Sequence, residues 1–139
     1  MQQLKNSYWF SHAALQSKCR VYYGDAYNLP AAIGEFDIAV MGAVLLHSRD
    51  PVRIVEQCGK RAKTLIVVDK FHPGLEGSPV CRLAPTADNF LWHTWWHFST
   101  QFFTQFLGVM GFTTSEPSTH EQLHRGRAHT LFTIVGTHD

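Results

Sequence analysis

Three groups of residues have types and spacings suited to chemistry. His120-Glu121-Gln122-Leu123-His124 matches HExxH. On a sustained helix its two histidines would share a face and bind zinc, with Glu121 as base. Pro117 before it and Gly126 after it interrupt such a helix, and no third ligand stands out. The motif therefore reads as a solvated, histidine-rich connection, and no metal is expected. His93 and His97 are again four apart, within FLWHTWWHF. They form a weak metal pair if that stretch is helical, and otherwise flank and partly cover a tryptophan cluster. In the same stretch Trp92, Trp95, Trp96 and Phe98 either stack a flat ring such as a base or plug a core. Asp25, in GDAYNLP, either contacts a ligand or caps the turn it opens, as Asx residues do.

The elements that must position these groups alternate between helix and strand. Asn6 to Lys18 predicts a helix, with Asn6 or Ser7 as its cap and Phe10, Ala13, Ala14 and Leu15 as a rough apolar side. Cys19 to Tyr23 is a short β-prone run. Phe36 to Val44 is almost unbroken apolar sequence, as in a parallel strand covered on both faces. Asp50-Pro51 starts a second helix through Val52, Val55, Cys58 and Ala62, which Arg61 and Lys63 close with positive charge. Thr64 to Asp69 is the next buried strand, so Phe36 to Asp69 is one right-handed β-α-β unit. Lys70 to Phe98 lacks a clear period and reads as a long functional loop. Ser99 caps a helix over Thr100 to Met110, with Phe102, Phe103, Phe106, Leu107 and Met110 as its stripe and Gly111 as its stop. Phe112 to Glu116 and His129 to Gly136 read as strands joined by the loop Pro117 to Ala128. This alternation predicts a single α/β domain with a mainly parallel sheet. In such sheets ligands bind beyond the carboxyl ends of the strands, which points to Gly24–Ala26, Gly42–His47 and Asp69–His72.

Composition narrows the function classes. The chain has 139 residues, 45% hydrophobic and 17% charged, enough for a real core and far from a disordered balance. A formal net charge of +1 gives no electrostatic case for binding nucleic acid or a membrane surface. The longest apolar stretch, Phe36 to Leu46, contains Asp37 and is too short to span a bilayer. No signal-peptide pattern is visible in MQQLKNSYWF. Three widely spaced cysteines without a CxxC fit a reduced, cytoplasmic protein.

GDAYNLP at Gly24–Pro30, FDIAVMGAVLLHSRDP at Phe36–Pro51 and TLIVVD at Thr64–Asp69 together resemble class I S-adenosylmethionine (SAM)-dependent methyltransferases. Trp95 to Phe112 is similar to that family's serine, helix and glycine-phenylalanine entry into its last strand pair. With NSYWFSHAAL at Asn6–Leu15, the pattern is closest to methyltransferases similar to those of tRNA wobble-uridine modification. The order and spacing of these pieces, rather than any one of them, carry the resemblance.

The resemblance implies a truncated Rossmann-like fold of five strands. Its last strand, His129–Gly136, would run antiparallel between Thr64–Asp69 and Phe112–Glu116. It implies that Asp25 accepts a hydrogen bond from the adenine amino group with Ala26 beside it, and that Gly42, Ala43 and Val44 pass the methionine part of the cofactor. His47 would face the substrate, with His72, Trp95 and Trp96 as further substrate-side candidates. The family's first two strands and glycine-rich turn have no counterpart, since no GxG occurs. Hydrogen bonds to charged groups contribute roughly 1.5–3 kcal/mol each, so losing two or three weakens a cofactor by about 10³- to 10⁶-fold. The expected function is a methyltransferase-like domain with an incomplete, weak SAM site, acting as a self-associating or partner-binding module. The alternative is a methyltransferase, with a small-molecule or tRNA acceptor, whose cofactor site a second chain completes. A strand edge left without its neighbour predicts a homodimer, unless Cys19–Tyr23 slides inward to cover it.

Overall fold

The structure, a computed structural model, describes residues 2–89, 91–124 and 126–138. Its elements are α1 (Gln2–Ala14), β1 (Phe36–Gly42), α2 (Pro51–Gly59), β2 (Ala62–Lys70), β3 (Cys81–Leu83), β4 (Trp96–Phe98), α3 (Thr100–Val109), β5 (Thr113–Thr114), β6 (Ser118–His124) and β7 (Arg127–Thr137). No helix among the described residues is long and apolar enough to cross a membrane.

The main sheet has the order β1-β2-β7-β5, with β6 also paired to β7. β1 and β2 are parallel, with Ile38 opposite Thr64 and Val40 opposite Ile66. β7 lies antiparallel to β2 on one side and to β5 and β6 on the other. All strands of this sheet except β7 therefore point the same way. This is the expected α/β fold, with the last strand inserted in reverse between β2 and β5.

Alternation along the strands sorts the side chains onto two faces. Leu65, Val67 and Asp69 of β2 and Phe132 and Ile134 of β7 are buried on one face, against Val55 of α2, Phe98 of β4 and Phe103 and Leu107 of α3. The other face carries Ile38 and Val40, 55% and 63% exposed, beside the half-buried Ile66, Val68 and Val135. The outer edge of β1 has no strand partner among the described residues. The Phe36–Val44 run looked covered on both faces; here helices cover one.

Cys19–Tyr23 is not a strand and does not cover that edge. α1 claims it instead: His12 Nε2 donates to the Cys19 carbonyl at 2.8 Å, and the Lys5 ammonium lies 4.6 Å from the Tyr23 ring centroid. α1 spans Gln2–Ala14, so Asn6 and Ser7 are interior rather than capping, and a left-handed Gln16 (φ 47°) follows its end. Ala62 and Lys63 belong to β2, because β1 requires partners from Phe36 onward and Phe36 pairs with Ala62. The Lys70–Phe98 region is not one loop: β3 and β4 form a small antiparallel hairpin within it. The connection after β5 holds β6, whose every residue is exposed. Its hydrogen bonds to β7 hold it without an apolar face, which is why periodicity misses it.

Both expected caps are present. Asp50 Oδ1 accepts from Arg53 N–H at 3.0 Å, with Pro51 in the first turn. The fully buried Ser99 accepts from Phe102 N–H at 3.2 Å and from Val80 N–H at 3.0 Å, and donates to the Ser78 carbonyl at 2.7 Å. Ser99 thus ties α3 to the start of β3. Ser99→Ala removes the cap, while Val80 N–H keeps its bond to the Ser78 carbonyl at 2.9 Å, so a loss of about 1 kcal/mol is expected in urea unfolding. Gly111, at φ 88°, ends the α3 region as anticipated.

Candidate functional site

Beyond the carboxyl ends of β1 and β2 the chain turns sharply. Gly42 ends β1, and a Cβ built there would meet nothing within 4 Å, so this backbone borders open space. Ala43 follows in the left-handed region at φ 49°, its N–H held by the Val68 carbonyl at 2.7 Å. Val44 is exposed, and Leu45–His47 form one tight 3-10 turn that buries Leu45. His47 is thereby placed at the rim, where Nδ1 donates to the His93 carbonyl.

Asp69 is the last residue but one of β2 and is only 1% exposed. Its Oδ1 accepts from Lys70 N–H at 2.7 Å. Its Oδ2 is buried and meets no hydrogen-bond partner among the described residues. Burial raises the carboxyl pKa to about 6, against smaller lowering by the Lys70 and Leu46 amides and by His47. Asp69 lines a cavity of ≈ 220 Å³ together with Leu46, Lys70, His72, Leu91, Thr94, Trp96 and His97. The Trp96 Nε1 is also buried without a partner among the described residues. His72 stacks on His97 at 4.1 Å between centroids, and Arg82 donates to His97 Nδ1 at 3.1 Å. Burial, followed by His97, Lys70 and Arg82, drives the His72 pKa down to about 4. His97 is lowered too, by burial and then by Arg82 and Lys70.

The hairpin β3–β4 closes this cavity from above. It is fastened by Trp95 N–H to the Leu46 carbonyl at 2.7 Å and Ala84 N–H to the Trp95 carbonyl at 2.8 Å. The Trp95 ring packs under the Arg49 guanidinium at 4.9 Å.

Solved structures can now be set beside this geometry. The N-terminal domain of EvdMO1 with SAH (S-adenosylhomocysteine) bound is similar at a TM-score of 0.58 and 15% identity, over 85% of this chain and 53% of that one. A SAM-dependent methyltransferase from Methanosarcina mazei is similar at 0.55 and 19% identity, over 82% of this chain and 64% of that one. The fold is that of class I methyltransferases. This chain spans about half the length of the EvdMO1 domain, 53%. No protein-family model matches it, and no curated protein matches it.

The methyltransferase fold sorts the residues singled out from sequence. Gly42 ends β1, Ala43, Val44 and His47 lie in the turn just beyond it, and His72 and Trp96 meet at the cavity beyond β2. Trp95 is held outside the cavity by Arg49. Asp25 is exposed, and its Oδ1 accepts from Tyr27 N–H at 2.8 Å, an Asx turn. Tyr27 anchors that turn, with Ala26, on α2: its carbonyl accepts from Arg53 Nε at 2.7 Å and its hydroxyl from Arg49 N–H at 3.0 Å. The tryptophan cluster divides: Phe98 is core, Trp96 lines the cavity, and Trp92 is 74% exposed. His93 and His97 share no helix, since His97 lies on β4. HExxH lies on β6, so His120 and His124 share a face about 13 Å apart at strand rise, too far for one zinc ion. Asp69 fell within a strand end that the sequence pointed to, but nothing in the sequence assigned it a role. Its signal was an acidic residue closing a run of buried strand positions.

Proposed function

We propose that this chain is a methyltransferase-like domain that holds SAM only weakly by itself and works through association with a second copy along β1. The observation that supports this most is the bare edge and open apolar face of β1, where Phe36, Ile38 and Val40 are 48%, 55% and 63% exposed. On the cofactor side the chain offers the Gly42–Val44 strand end and the Asp25–Ala26 turn. Gly42 fits, because its backbone borders open space, whereas one Asp25 oxygen is already engaged by its own turn. When bound, SAM would supply the methyl group, and these residues would orient its methionine and adenine ends.

A second reading, a methyltransferase completed by another chain, draws on the cavity at the carboxyl end of β2. There His72, Trp96 and the rim residue His47 would stand on the acceptor side, and the cytoplasm is the compartment that fits its reduced cysteines. The closeness to tRNA wobble-uridine methyltransferases belongs to this reading.

Titration calorimetry with SAH tests the cofactor claim. A dissociation constant weaker than about 100 µM is expected, and Asp25→Ala should weaken it further. A constant in the low micromolar range, on the order of −8 kcal/mol, overturns the weak-site reading.

A further inference from the structure

We infer that the cavity between the end of β2 and the β3–β4 hairpin binds an anionic ligand, a carboxylate carried on a single flat ring. Basic side chains converge there from three segments. Lys70 at the end of β2, His72 just after it and His97 on β4 all line the cavity, and none of the three is buried. Arg82 on β3 stands opposite His97 in the hairpin and donates from Nη2 to its Nδ1 at 3.1 Å. The His97 ring in turn stacks on His72 at 4.1 Å between centroids. The bond from Arg82 keeps the His97 proton on Nε2, so this ring retains a donor.

No carboxylate balances this cluster where a ligand could reach it. The charged groups that act on His72 are His97, Lys70 and Arg82, and those that act on His97 are Arg82 and Lys70, all of them basic. At neutral pH both imidazoles are therefore uncharged, and Lys70 and Arg82 supply the positive field. Glu76, four residues after His72, is engaged by the Thr100 N–H and hydroxyl. Asp69 is the one acidic residue on the lining among the described residues, and at 1% exposure it presents almost no surface to a ligand. Like charges gathered without a counterion repel one another, and a bound anion relieves that repulsion. Leu46, Leu91 and Trp96 add flat and apolar wall. The volume of ≈ 220 Å³ lies below the roughly 300–1,000 Å³ of drug-sized sites and suits one ring. This inference rests on the cavity and not on methyl transfer, so the outcome with SAH neither supports nor overturns it.

The probe is benzoate, with benzamide as the neutral molecule of nearly the same shape. In a carbon-correlation spectrum of the full chain, the His72 and His97 ring signals are assigned by their loss in His72→Gln and His97→Gln. Saturable movement of both signals is expected with benzoate at pH 7.5, and at least tenfold weaker binding with benzamide. Lys70→Gln and Arg82→Gln should each weaken benzoate at least threefold. Lys63→Gln removes the same charge near the opposite end of β2 and should leave binding unchanged. Unmoved histidine signals, an equal response to benzamide, undiminished binding by Lys70→Gln and Arg82→Gln, or a loss in Lys63→Gln as large as theirs overturns the proposal and leaves the basic cluster a solvated surface.

Discussion

Asp69→Asn is expected to make the protein more stable at neutral pH. In the folded chain the Asp69 carboxyl titrates at about 6 rather than 3.8 because burial disfavours its charge. Between those values the native state holds a proton that the unfolded chain has released. Stability therefore falls as pH rises from about 4 to about 6, and the full penalty stands above that window. Moving a carboxyl that far costs about 3 kcal/mol. Asparagine removes the charge but leaves a buried polar atom, so a gain of about 1–3 kcal/mol at pH 7.5 is expected.

His72 works in the opposite direction. Its folded pKa is depressed from 6.5 to about 4, so the unfolded chain holds the extra proton. Its contribution is complete above about 6.5 and is lost as pH falls toward 4. His72 is partly exposed, so solvent screens its share. His97, also lowered, adds in the same sense. The wild-type protein should thus show a shallow profile between pH 4 and 6.5, in which two opposed titrations offset. Asp69→Asn should unmask a rise with pH, and His72→Gln a fall. Urea midpoints across that range check all three. A loss of stability in Asp69→Asn at pH 7.5 would mean that the carboxylate is stabilised in the fold rather than penalised.

The second large effect concerns assembly. At micromolar concentration, light scattering should report twice the 15.8 kDa of one chain. Edge-to-edge pairing of β1 about a two-fold axis would continue the sheet across both copies and satisfy the edge's free backbone groups. The exposed Ile38 and Val40 beside that edge would then lose water together, within a total burial above about 1,200 Å² for a stable pair. Val40→Lys puts a charge in the middle of this surface and touches none of the buried cluster. It should yield a monomer with an unchanged circular-dichroism spectrum. A wild-type chain that scatters as 15.8 kDa would end the proposal.

Much of this architecture was legible in the sequence where burial and capping agreed. Asp50-Pro51, Ser99 and Gly111 marked their helix ends, and the apolar runs marked β1 and β2. The reversed last strand came from resemblance, since no local pattern encodes which neighbours a strand takes. What escaped were elements held by backbone pairing alone. β6 shows no buried face, and β3 is three exposed residues joined to β4. Cys19–Tyr23 failed the other way: its strand propensity is overridden by tertiary context, since His12 and Lys5 of α1 hold it away from the free edge of β1. At the site, strand-end position pointed to Gly42, His47, Asp69 and His72, and Trp96 came from its place in the aromatic cluster. What stayed hidden was the burial of the Asp69 carboxyl, since its place at the end of an apolar run looked like punctuation.

The reversed position of β7 also bears on the order of folding. It follows every other strand along the chain yet sits in the middle of the sheet, with β2 on one side and β5 on the other. Until it emerges, β2 can pair only with β1, and the face carrying Leu65 and Val67 lacks Phe132 and Ile134. A growing chain therefore carries a sticky, half-built sheet for the whole time its later segments are being made. Closure depends on contacts between residues far apart in sequence, which are slow to form and exposed to aggregation. Chaperone demand during synthesis is thus written into the strand order itself.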